Sequence, residues 1–114
     1  MKSKKVLVTG ASRGIGYSIA HAFSEKGAYV IGTRTSSNDL KKHCAEWIIA
    51  DFSKLDEVKE CAERVKRIGP DILVNNAGIN KIAPFESIDP DDFLNIQQIN
   101  VFAPFCLCQA VIPS

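Results

Sequence analysis

The sequence has no apolar run of membrane-spanning length and no excess of either charge. It has only two histidines. Lys and Arg number 14 against 13 Asp and Glu, interspersed along the chain, which argues against a nucleic-acid face. The basic start at Lys2, Lys4 and Lys5 leads into a short strand-like run rather than the apolar core of a leader. The expectation is a cytoplasmic protein with neither nucleic acid nor membrane as a partner. Cys44, Cys61, Cys106 and Cys108 match no zinc spacing, and without a leader no disulfides are expected. They read as small buried residues, and Cys106 and Cys108, two apart on a helix, point in different directions. His21 and His43 carry no partner pattern of a metal ligand or a general base. Tyrosine occurs only at positions 17 and 29.

What is present is an alternation. Val6–Val8, Tyr29–Ile31, Trp47–Ala50 and Ile72–Val74 are short, largely β-branched runs, apolar at consecutive positions. That is the pattern of parallel strands covered on both faces. Between them lie helical spacings. Ile15, Ile19 and Phe23 fall four apart, with Gly27 placed to stop the helix. Leu55, Val58, Ala62, Val65 and Ile68 form a second stripe, with Ser53 as a candidate cap and Gly69-Pro70 as its end. Residues 38–45 read as a short helix or an irregular connection. Asp89-Pro90 opens a last helix, with Phe93, Ile96, Asn100 and Phe105 on one side and Pro104 as a bend. The 114 residues thus read as one α/β domain or part of one. The alternation implies a parallel sheet with helices on both faces and right-handed crossovers, without repeats or linkers.

Thr9-Gly10-Ala11-Ser12-Arg13-Gly14-Ile15-Gly16 joins the first strand to the first helix. A strand that turns through glycines into a helix N-terminus makes a phosphate cradle. Its free N–H groups and dipole favour anions, and the glycines let backbone approach backbone. The gap between the first two glycines is longer than in the usual dinucleotide pattern. Arg34 stands 24 residues after Gly10, where an NAD-preferring fold carries an acid for the ribose 2′-hydroxyl. Arg34, with Arg13 beside it in the turn, suits a 2′-phosphate and argues for NADP (NADPH) over NAD. Asp51-Phe52 follows the third strand, where Asp51 suits either an adenine amino group or a plain loop role. Asn75-Asn76-Ala77-Gly78 follows the fourth strand. Its small residues let a cofactor pass close to the backbone, and its Asn side chains can hold the strand ends.

Together these features resemble the short-chain dehydrogenase/reductase family over essentially all of the chain. Thr9-Gly10-x-x-x-Gly14-x-Gly16 and Asn75-Asn76-Ala77-Gly78 are two of its motifs, in the expected order. The wording Ala11-Ser12-Arg13-Gly14-Ile15-Gly16 is similar to 3-oxoacyl-[acyl-carrier-protein] reductases. The resemblance implies a Rossmann-type parallel sheet with helices on both faces, in strand order 3-2-1-4 and truncated after the fourth βα unit, and hydride transfer between NADPH and a small carbonyl or alcohol substrate. It implies cofactor contacts at Gly10, Ser12, Arg13, Gly14, Ile15, Gly16, Arg34, Asp51, Phe52, Asn75, Ala77 and Gly78. Asn100 looks like the family's active-site asparagine, which helps hold a water in a proton relay.

The family's reaction also needs a serine and a Tyr-x-x-x-Lys pair. Here His21 follows Tyr17 by four residues and Thr33 follows Tyr29 by four. The expectation is therefore the cofactor-binding half of a reductase, inactive alone, with its fourth strand exposed as an apolar edge. Such an edge favours a homo-oligomer or a complementing chain. Two other readings remain: a nucleotide-binding or interaction module without catalysis, and a remnant that folds only marginally. A Tyr-x-x-x-Lys in the coding frame past Ser114 would single out the first.

Overall fold

The four apolar runs become four parallel strands, β1 (Lys5–Val8), β2 (Tyr29–Arg34), β3 (Glu46–Ile49) and β4 (Ile72–Val74). They lie in the order β3-β2-β1-β4, the order expected. The computed structural model describes residues 2–36, 42–80 and 82–112. Helices α1 (Gly14–Glu25) and α2 (Leu55–Ile68) connect the strands, and α3 (Pro90–Gln97) and α4 (Ala103–Val111) follow β4. No helix among the described residues is long and apolar enough to cross a membrane.

The period of two along a strand sorts the core into two layers. Val6, Val8 and Val30 face α1, where they pack with Ala20 and Cys44. Leu7 and Ile31 face the other side and meet Val58, Cys61 and Val65 of α2 and Ala103 and Leu107 of α4. Both faces of the central strands are covered, which is why their sequence is apolar at consecutive positions. Val8 pairs with Gly32 and Val74, and Arg34 with Ile49, so the carboxyl ends of all four strands gather at one rim.

Several local expectations are corrected. Ile15 is 73% exposed, and α1 buries Gly16 and Ala20 instead. Gly16 is the residue turned onto Gly10, with no room for a side chain, and Ile15, one position before it, faces outward. Ser53 does not cap α2; the cap position is Lys54, and Ser53 bonds back to Asp51. Of the stretch 38–45, residues 38–41 lie outside the described residues, and 42–45 are turns and bends, which is the irregular connection of the two alternatives and not the short helix. Cys44 and Cys61 are buried as expected, but Cys108 is exposed.

The last helix is not one bent rod. Asp89 caps α3 as read, accepting the N–H of Asp91 at 2.8 Å. Residues 98–102 then form a π-helical turn in which Ala103 N–H reaches Gln98 O. Pro104 accounts for the break, because it has no N–H for the carbonyl of Asn100 four residues back. The stripe read for this helix is not a buried face: Phe93 and Phe105 are more than half exposed, and Asn100 is exposed. β4 is an edge of the sheet, paired with β1 alone.

Candidate functional site

A cleft of about 370 Å³ opens at the rim, outside the carboxyl ends of the strands. This is where open α/β sheets hold ligands. Of the residues read from the sequence, Gly10, Ser12, Arg13 and Gly14 line it from the glycine turn. Arg34 lines it from β2, Asp51 and Phe52 from the loop after β3, and Ala77 and Gly78 from the loop after β4. Ile15, Gly16, Asn75 and Asn100 are not in its wall.

Gly16 acts from behind. A Cβ there would run into the carbonyl oxygen of Gly10 and the side-chain amide of Asn76, so no side chain is tolerated. Asn75 turns away from the cleft, its amide 3.5 Å from Cys108 Sγ. Asn76 instead holds the strand ends, donating from Nδ2 to Gly10 O at 3.1 Å.

The turn is tied down by two threonines, each only 2% exposed, that the sequence reading did not single out. Thr9 Oγ1 accepts the N–H groups of Asn76 and Ala77, both at 2.9 Å, and so joins the end of β1 to the loop after β4. Thr33 Oγ1 accepts Gly10 N–H at 3.1 Å, and Thr33 O accepts Ala11 N–H at 3.1 Å. The available signal was a hydroxyl at the polar end of an otherwise apolar strand, beside Arg34.

The helix ends differ in a way that bears on charge. α2 carries Asp56 and Glu57 in its first turn, and α3 has Asp89, Asp91 and Asp92. α1 has no acid in its first turn, and Arg13 at its cap position makes no capping bond with its side chain. The N-terminal N–H groups and the positive dipole end of α1 thus stand at the cleft with neither an acid nor a side-chain cap, the arrangement that favours an anion. Arg13 is exposed, and Arg34 is half-buried with Nη2 3.4 Å from Ser36 Oγ.

Asp51 is the cleft's carboxylate. Bonds from the Ser53 hydroxyl and N–H to Oδ1, at 2.7 and 3.0 Å, hold its carboxyl below the ordinary carboxylate range. It is ionised at neutral pH, and this hold is lost only as pH falls through the lowered value. Burial pushes the Cys44 thiol up to about 12 and the Cys61 thiol up to about 11, which removes both as nucleophiles at neutral pH.

The π-helical turn braces the cleft from the far side. Gln98 Nε2 donates to Phe52 O at 3.1 Å. Asn100 engages one residue at both ends, accepting Ile79 N–H at 2.9 Å and donating to Ile79 O at 2.7 Å. Ile79 and Ile99 add apolar wall beside them.

Residues 4–114 match the family model described as short chain dehydrogenase. All of this chain aligns, at 34% identity, with 50% of the 3-oxoacyl-[acyl-carrier-protein] reductase FabG of Haemophilus influenzae. Among solved structures, 96% of the chain superposes on 50% of a blue fluorescent protein from a metagenomic library in complex with NADPH, with TM-score 0.84 and 33% identity. A short chain dehydrogenase from Leptospira borgpetersenii with bound NAD+ superposes over 97% of this chain and 45% of its own, with TM-score 0.83 and 30% identity. The chain spans about half the length of the curated relatives it matches.

The threonine tie is open to test. Thr9→Val keeps the shape but faces two buried N–H groups with a methyl. It should lower the unfolding free energy by about 1–3 kcal/mol for each N–H left unpaired. Thr9→Ser, which keeps the acceptor, should recover most of that loss in urea unfolding.

Proposed function

The chain belongs to the short chain dehydrogenase family, and on that premise we propose that its cleft binds NADP in preference to NAD. The activity it descends from is then hydride transfer between NADPH and a small carbonyl or alcohol substrate. The observation that carries the cofactor preference is the charge at the end of β2. Arg34 and Arg13 both line the cleft there, and the lining carboxylate, Asp51, lies one strand further on. Solved relatives hold NADPH in one case and NAD+ in another, so the discrimination rests on these side chains. A guanidinium pairs with a 2′-phosphate, whereas a ribose diol is better served by a carboxylate.

In this reading the uncapped start of α1 receives the pyrophosphate, with Gly10, Ser12, Gly14, Ile15 and Gly16 shaping the approach. Asp51 and Phe52 flank the adenine, and Asn75, Ala77 and Gly78 let the cofactor run past the end of β4. The bound nicotinamide would supply or take the hydride. Asn100 spends both ends of its side chain on Ile79. Any water it holds for a proton relay would therefore sit on its main-chain carbonyl, whose usual helical donor is missing at Pro104.

The 114 residues hold no Tyr-x-x-x-Lys, and nothing in the cleft replaces that acid/base pair. The same observation favours a second reading, nucleotide binding without catalysis. Neither reading gives turnover by these residues alone. The edge at β4 and the apolar residues exposed on α3 and α4, Leu94 and Phe105 among them, support self-association.

Three outcomes are expected. NADPH should bind more tightly than NADH in fluorescence titration, and Arg34→Asp should reverse the order by weakening NADPH about tenfold or more, the scale of one charge-assisted pair. An unchanged preference would remove Arg34 from that role. Ketone-dependent oxidation of NADPH by the purified 114 residues should be absent, and measurable turnover would refute the division of labour. Light scattering should give a mass above that of one chain; a stable dilute monomer counts against association.

A further inference from the structure

Four backbone polar groups begin the glycine turn: the N–H and C=O of Gly10 and of Ala11. Three are accounted for by Thr33 and Asn76. The fourth, the carbonyl of Ala11, lies 2.8 Å from Nε2 of His43, a residue 32 positions later in the chain and 8% exposed. A carbonyl oxygen can only accept, so Nε2 carries the hydrogen. Nδ1 is buried without a partner among the described residues. A hydrogen on it would have nothing to bond, so the hydrogen that the geometry uses is the one on Nε2.

The ring is held from both sides. Tyr17, on α1, tilts against it with centroids 4.4 Å apart, and Trp47, on β3, meets it edge-on at 5.3 Å. Its neighbours close the space beneath. A Cβ added at Gly32 would come within 2.6 Å of Cys44 Sγ, 2.9 Å of Trp47 and 3.0 Å of the Ala11 side chain. The segment from His43 to Trp47 therefore bears directly on the turn, and His43 is its polar contact with the turn's backbone.

The consequence runs through one rigid unit. The carbonyl of Ala11 and the N–H of Ser12 belong to the same trans peptide and point in opposite directions. Holding the carbonyl on the His43 side aims the Ser12 N–H the other way. A flip of that peptide would set a carbonyl dipole where an anion is to be received. Ser12 lines the cleft.

We propose that His43 is a positioning residue for anion binding: it clamps the Ala11 carbonyl and so presents the Ser12 N–H to a phosphate of the bound dinucleotide. This rests on the reading of the cleft as a dinucleotide site. It adds a determinant outside the glycine motif and outside the cleft wall.

The test compares the wild-type protein with His43→Gln, His43→Asn and His43→Phe. Gln can place an amide N–H near the position of Nε2, Asn falls short of it, and Phe keeps the ring without a donor. NADPH affinity is read by fluorescence titration, and the Ser12 amide is followed by ¹⁵N NMR. Phe and Asn should weaken NADPH about tenfold, the scale of one lost hydrogen bond. They should also abolish the NADPH-induced shift of the Ser12 amide. Gln should restore both to within about threefold of wild type. A general loss of packing would not separate Gln from Asn, so equal affinities of these two overturn the proposal even if His43→Phe fails to fold. Wild-type protein that binds no NADPH defeats the underlying reading of the cleft, and the proposal with it. Wild-type binding with all three variants unchanged defeats the role of His43 alone.

Discussion

The end of β1 and the end of β4 share one buried hydroxyl, and the rest of the cleft is built around that join. Thr9 Oγ1 takes two N–H groups of the loop after β4, while Asn76 of that loop returns a bond to Gly10. Gly16 brings the start of α1 against the same carbonyl and the same amide. Any side chain at Gly16 would push the helix off, and any loss at Thr9 would strand buried donors. Turn, helix start and neighbouring loop thus form one body, in which no member can shift independently of the others.

A rigid body is what an anion site requires. The N-terminus of α1 has neither an acid nor a side-chain cap, whereas α2 has two acids in its first turn and α3 has two acids and a capping Asp89. An uncapped end is a local cost to folding that becomes useful only when its N–H groups hold their direction. The braces come from several elements: Thr33 from β2, Asn76 from beyond β4 and His43 from the approach to β3. On the opposite wall the π-helical turn does similar work, with Gln98 reaching Phe52 and Asn100 reaching Ile79. Two neighbouring stretches of backbone are pinned by side chains two residues apart. The wider π turn brought about at Pro104 sets the spacing of that pair.

Much of this was legible in the residues. The alternation of apolar runs with helical stripes carries the strand number and the parallel arrangement, and the order of the sheet came with the family resemblance. The glycine turn, Arg34, Asp51 and the loop from Asn75 to Gly78 mark the cleft because they follow strand ends, and strand ends gather at one rim. Helix boundaries and faces were less legible. Ile15 looks like a core position by spacing but lies exposed, because Gly16, one position after it, is the residue turned onto Gly10. Ser53 has the chemistry of a cap but serves Asp51 two residues back. A break at Pro104 could be read, but its form could not, since the choice between a bend and a π turn depends on what the neighbouring side chains grip.

The sequence by itself determined the class of fold, the parallel arrangement of the strands and the place of the glycine turn read as a phosphate cradle. These follow from short-range periodicity and from backbone freedom at the turn, which are local properties. Only the tertiary structure decided which groups support the cradle. Thr33 and His43 carry no motif of their own, and the motifs that contain Thr9 and Asn76 do not name their partners. The meaning of all four comes from contacts between residues 23 to 68 positions apart, made where parallel strands bring their ends together. A hydroxyl or an imidazole has a function there because a particular backbone group stands within 3.1 Å of it, and no local pattern encodes that distance.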